Sequence, residues 1–236
     1  GLAIDKSWSM KGDKMEATIE AACSLVNWLT RHDYLTVIAY SADVQVVQPL
    51  IQLKEKSAVI DKIRSIQVAT STNMSGGWLQ TLRAVESAGI PNAYKRVILL
   101  TDGQATLGIK DPAQFIQIAN DHVTRGVSTT TIGFGEDFNE TSLRDIAVNG
   151  GGNFYYVSSP EQTSEIFFRE FGDIGALYAQ AVELKLKFAP HVKMLEIYND
   201  YPFQLNDDGS ISIQSGDVRA DDTRNIVMSL EIDAEK

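Results

Sequence analysis

Three oxygen-bearing side chains, Asp5, Ser7 and Ser9, stand at alternate positions in the opening stretch IDKSWSM. Two further segments offer the same chemistry: Thr70, Ser71, Thr72 and Asn73 in VATSTNMSGG, and Thr101 with Asp102 in KRVILLTDG. Carboxylates and hydroxyls without cysteine or histidine form a hard oxygen shell, which suits Mg²⁺ first, or Mn²⁺ or Ca²⁺, rather than zinc or copper. A dication also answers an electrostatic problem: two carboxylates brought together without one repel, and one of them is driven toward its protonated form. If only the two aspartates are charged, such a metal stays electrophilic and open to an anionic ligand from outside. Each segment alone has a plainer reading, with Asp5 and Ser7 or Ser9 as a helix cap, TDG as a turn and STSTN as a polar loop. Their joint occurrence, in this order and at strand ends, points to a metal-site scaffold.

The elements that must position these residues follow from periodicity. An apolar stripe of Met15, Ile19, Cys23, Val26 and Leu29 predicts a helix within 11–31, followed by a β-rich run at 34–41. VQVVQPL at 44–50 reads as a strand on a sheet edge, because Pro49 cannot donate to a ladder. A periodic stretch at 55–66 and a helix over 77–88 precede KRVILLT, a continuous apolar run of the kind buried on both faces. Asp111 and Pro112 read as the cap and first residue of the next helix. GVSTTTIGFG, a capped helix at 139–152, a short strand at 153–158 and a closing amphipathic helix over 160–178 complete the series. Such alternation predicts an α/β fold: a Rossmann-like, doubly wound, mostly parallel sheet with helices on both faces, spanning 1–178. In such sheets the functional crevice lies at the carboxyl ends of the strands, where the three oxygen-bearing loops fall. From 179 to 236 the pattern changes to short alternating runs, with Val182, Leu184, Leu186 and Phe188 on one face, which predicts a small antiparallel β extension.

Composition narrows the function classes. A net charge of −10 over 236 residues argues against a nucleic-acid partner. No apolar run approaches the ~18 residues that span a bilayer, and the start lacks the layout of a secretory leader. The abrupt opening on Gly1 reads as the start of a fragment, so cytoplasmic and exported locations both stay open. Cys23, alone of its kind, reads as a core thiol, and His32, His122 and His191 have no partner at ligand spacing.

The segments DKSWSM, TSTNMSGG, RVILLTDGQAT, TIGFGEDFN and IAVNGGGNFYYV, in this order over 1–178, resemble the landmarks of the von Willebrand factor A domain family. The resemblance implies a metal-ion-dependent adhesion site formed by Asp5, Ser7, Ser9, Thr72 and Asp102. It further implies that the serines and Thr72 lie close to a divalent cation, that the aspartates often act through water, and that a partner's Glu or Asp fills the open coordination position. The tail resembles β-rich extensions of bacterial members. Two residues depart from the pattern: Lys6 puts a cation on the metal loop, and Trp8 stands where many bacterial members have a small residue. Trp8 either forms an exposed anchor beside the site or packs over the first helix.

The leading expectation is thus a metal-dependent protein-binding module, not an enzyme, with Trp8, Asn73, Glu136 and Asp137 on the rim of the site. A metal-free assembly domain that binds through its β extension is the alternative. A metal-dependent hydrolase is a further one, with Glu136 or Asp137 as the only nearby candidates for a general base.

Overall fold

The computed structural model describes residues 1–91, 93–102, 105–135, 140–157, 166, 170, 177–199, 203–219, 223 and 225–233. The chain divides into two compact units, Gly1–Phe171 and Gly172–Lys236. In the first, the order is β1 (Leu2–Asp5), a 3₁₀ turn (Trp8–Met10), α1 (Asp13–Trp28), β2 (Tyr34–Tyr40), β3 (Val44–Gln52) and α2 (Lys56–Arg64). There follow α3 (Met74–Glu86), β4 (Lys95–Thr101), α4 (Pro112–Val123), β5 (Val127–Phe134), α5 (Glu140–Asn149) and β6 (Gly151–Val157).

The strands form one sheet in the order β3-β2-β1-β4-β5-β6. β1 pairs in parallel with both β2 and β4, and β4, β5 and β6 continue in parallel, while β3 runs antiparallel on the edge. This is the expected mostly parallel, doubly wound sheet, with Pro49 on the edge strand. The strand order reverses between β1 and β4, so the chain leaves these neighbours in opposite directions and opens a crevice at their carboxyl ends. Asp5 ends one strand and Asp102 follows the other.

Ala3, Tyr40, Val97, Leu99 and Val127 face a core built with Met74, Trp78 and Leu82 of α3, Phe115 of α4 and Ile146 of α5. Alternation sends Leu2, Ile4, Ile98 and Leu100, all buried, to the opposite face, which α1 and α2, packed on one another, are left to cover. β5 is buried along its whole length although it carries four hydroxyls in a row. Each finds a partner: Ser128 accepts from Arg96, Thr129 from the Trp78 indole, and Thr130 and Thr131 donate to Glu170 and to the Leu143 carbonyl.

Two differences from the sequence expectation have clear causes. α3 begins at Met74, earlier than 77, and runs through Gly76 and Gly77 despite their low helix propensity. Packing overrides propensity here, because a Cβ on Gly77 would lie 2.2 Å from Cδ1 of Tyr40, so only glycine lets the helix backbone rest on that ring. The closing helix predicted over 160–178 falls mostly outside the described residues; Ile166 and Glu170 are helical as expected, but Leu177 and Tyr178 belong to β7, whose ladder with β10 captures them. Glu170, fully buried, accepts hydrogen bonds from Arg96 at 2.5 Å, Thr130 at 2.6 Å and Asn153 at 2.9 Å, on three adjacent strands. A buried carboxylate requires such company.

The second unit contains β7 (Leu177–Leu186), β8 (Val192–Ile197), β9 (Phe203–Leu205), β10 (Ile211–Arg219) and β11 (Met228–Ile232). They form an antiparallel β7-β10-β9 sheet and a β8-β11 ribbon. The expected alternation holds, since Val182, Leu184, Leu186 and Phe188 are less exposed than the charged residues between them.

Gly77→Ala should lower the unfolding free energy by about 1–3 kcal/mol through overpacking against Tyr40, read as a lower midpoint in urea denaturation at unchanged slope.

Candidate metal centre

Ile4 and Leu100 are in register, which brings Asp5 level with Thr101 across the β1–β4 pair. Thr101 Oγ1 donates to Asp5 Oδ2 at 2.8 Å, and the backbone N–H of Ser7 donates to Oδ1 at 2.8 Å. This second bond turns the chain sharply after β1, and the Ser7 and Ser9 hydroxyls then lie 3.0 Å apart. The capping alternative fails: α1 starts after Gly12, and its cap has no side-chain hydrogen bond. None of Asp5, Ser7 and Ser9 is therefore the cap of α1.

The second loop is stitched to the first by the backbone. Ala69 N–H donates to the Lys6 carbonyl at 2.7 Å, while Asn73 N–H donates to the Ser41 carbonyl, in the turn after β2, at 2.8 Å. It is stitched to the third as well, since the Thr72 carbonyl accepts from the N–H groups of Thr106 and Leu107, both at 3.0 Å, and Thr72 N–H donates to Thr106 Oγ1 at 2.8 Å. Thr72 is buried and Asn73 half-buried. Between the stitches Ser71 adopts a φ of 63°, the only positive value at a non-glycine position among the described residues. Strain of about 1–2 kcal/mol is thus held next to Thr72.

The electrostatics of the centre are unbalanced without a cation. Burial pushes the Asp5 carboxyl up to about 6, against the pull of its bonds from Ser7 and Thr101, and the nearby Asp102 charge adds to the rise. Asp102 is 5% exposed, and its Oδ1 is buried with no hydrogen-bond partner among the described residues. Its Oδ2 lies 3.4 Å from Lys14 Nζ. A buried carboxylate oxygen left unpaired is costly, and a hard dication is the partner such an oxygen fits. Among the described residues no three His, Cys, Asp or Glu side chains gather, so a metal held here would have to draw on hydroxyls.

The sequence-predicted residues are not all free for this purpose. Asn73 caps α3, its Oδ1 accepting from Gly76 N–H at 3.0 Å. Trp8 is 59% exposed and has Lys11 Nζ at 4.3 Å from its ring centroid. Its φ is not positive, so the backbone there is unstrained. Lys6 turns aside to Gln45, at 2.9 Å. Glu136 and Asp137 lie outside the described residues. Lys14 was not singled out by sequence reasoning. Its signal was its place in the first turn of α1, where side chains lean toward the helix N-terminus and hence toward the strand ends.

A family model for the von Willebrand factor type A domain matches residues 1–169. The chain belongs to this family. Among curated relatives of this von Willebrand factor A chain is "Uncharacterized protein YfbK" of Escherichia coli, 24% identical over 99% of the chain and 41% of the relative. Inter-alpha-trypsin inhibitor heavy chain H1 of Sus scrofa is 30% identical over 63% of the chain and 18% of its own length. A von Willebrand factor type A structure from Catenulispora acidiphila superposes with a TM-score of 0.71 at 22% identity, covering 98% of this chain and 57% of that one. The mussel byssus protein PTMP1, described with a zinc-occupied MIDAS motif, has a TM-score of 0.62 at 21% identity over 78% of this chain and 48% of its own. The chain thus spans about half the length, or less, of the relatives that it matches throughout. No helix among the described residues is long and apolar enough to cross a membrane.

Ser71 is exposed, where most substitutions shift stability by about 0.5 kcal/mol or less. Ser71→Val, which puts a β-branched residue in the left-handed region, should cost about 1–2 kcal/mol, whereas Ser71→Gly should cost nothing, measured by thermal and urea unfolding.

Proposed function

We propose that this chain is a divalent-metal-dependent protein-binding module. In this reading Ser7, Ser9 and Thr72 supply the hydroxyls nearest the ion, Asp5 and Asp102 supply its charge balance, and Mg²⁺ is the favoured occupant. The observation that carries the reading is the Oδ1 of Asp102, without a hydrogen-bond partner among the described residues and buried at the β1–β4 switch point beside the carboxylate of Asp5. Membership of the von Willebrand factor A family and the zinc-occupied MIDAS motif described for PTMP1 support it further.

A bound dication supplies a Lewis-acidic position that a Glu or Asp from another protein completes. The protein's own residues do the rest. Asp5 fixes the turn that aims both serines, Thr101 fixes Asp5, and the stitched second loop holds Thr72 at constant distance from the other two loops. Trp8 presents an exposed ring beside Ser7 and Ser9, in a position to meet apolar parts of the partner.

Thermal unfolding in Mg²⁺ against chelator tests the metal. At ~100 times its Kd, bound Mg²⁺ should stabilise the protein by ~2.7 kcal/mol. Asp102→Ala should abolish that increment, and Ser9→Ala, at an exposed position, should shrink it. Equal melting with and without Mg²⁺ for the unaltered protein would defeat the proposal.

A further inference from the structure

Three lysines lie on the first loop and the start of α1, and they do different things. Lys6 bonds to Gln45, and Lys11 covers the Trp8 ring. Lys14 reaches the centre, with Nζ at 3.4 Å from Asp102 Oδ2. Its position is unfavourable by itself, because the second residue of a helix meets the positive end of the helix dipole. Room for its tip comes from Gly135, φ 81°, where a Cβ would lie 2.8 Å from Nζ and 2.7 Å from Cε. A cation thus stands in a disfavoured helical position, in space kept open by a glycine after β5, against the carboxylate whose other oxygen has no hydrogen-bond partner among the described residues.

We propose that Lys14 is the tethered counter-ion of this centre and sets how tightly it takes a dication. The proposal rests on the metal-binding reading above. Without metal, the ammonium neutralises part of the charge of Asp102 and limits its repulsion from Asp5. With metal, ammonium and dication draw on the same carboxylate, and their mutual repulsion weakens binding. Lys14 is a positioning residue for Asp102 and a determinant of affinity, not a metal ligand.

Calorimetric titration with Mg²⁺ at low ionic strength, on the intact chain and its Lys14→Met and Lys14→Arg variants, tests this. Methionine keeps the aliphatic stem and removes the charge, and arginine keeps the charge. Lys14→Met should bind Mg²⁺ about tenfold tighter, the scale of a unit charge acting on a dication over a few ångströms in a water-like dielectric. It should also melt below the unaltered protein in chelator, having left Asp102 uncompensated. Lys14→Arg should stay within about twofold of the unaltered affinity. The tenfold gap should narrow as salt rises. Equal or weaker binding by Lys14→Met, with measurable binding by the unaltered protein, overturns the role of Lys14 alone. Absence of Mg²⁺ binding in all three proteins overturns the metal reading and this proposal with it.

Discussion

Two carboxylates at the ends of neighbouring buried strands impose the constraint on which the rest of this centre depends. Asp5 and Asp102 follow β1 and β4, paired in parallel where the strand order of the sheet reverses. Asp5 is buried and already bonded at both oxygens, by Ser7 and Thr101. Asp102 keeps one buried oxygen without a hydrogen-bond partner among the described residues. Negative charge held so close in a poorly hydrated place is unfavourable unless cationic charge shares the space, and Lys14, 3.4 Å from one oxygen of Asp102, supplies only part of it. The hydroxyls around it cannot neutralise that charge, but they can complete an oxygen shell for an ion that does.

The surrounding fold keeps that arrangement rigid. Backbone hydrogen bonds join the loops after β1, before α3 and after β4, so Thr72 is held from two sides. The helix that follows Thr72 is seated by the contact of Gly77 with the Tyr40 ring and by the Trp78 indole bonded to Thr129. Strain at Ser71 is tolerated because the residues on either side of it are fixed. The cluster of Glu170 with Arg96, Thr130 and Asn153 ties β4, β5 and β6 together on buried polar bonds.

Much of this was legible in the sequence, for physical reasons. Strands buried on both faces read as continuous apolar runs, and oxygen side chains at their ends mark the crevice of a doubly wound sheet. Pro49 betrayed the edge strand because it lacks a donor. What stayed hidden depends on tertiary contact. The start of α3 was masked by Gly76 and Gly77, whose low propensity gives way to packing on Tyr40. The cap that Asn73 forms on α3 through its Oδ1 was likewise not evident from its place in a polar loop. β7 begins at Leu177 because of a partner strand some forty residues later in the chain, and β9, of three residues, is too short to leave a periodic signal. Lys14 and Glu170 are ordinary charged residues by type, and only their burial or contacts distinguish them.

Anomalous scattering from crystals of this protein soaked in Mn²⁺ tests the central claim most directly. One strong peak is expected among the hydroxyls of Ser7, Ser9 and Thr72, at about 2.0–2.3 Å from their oxygens, with Asp102 facing it. Crystals showing no peak there, with those hydroxyls turned away from one another, would contradict the account.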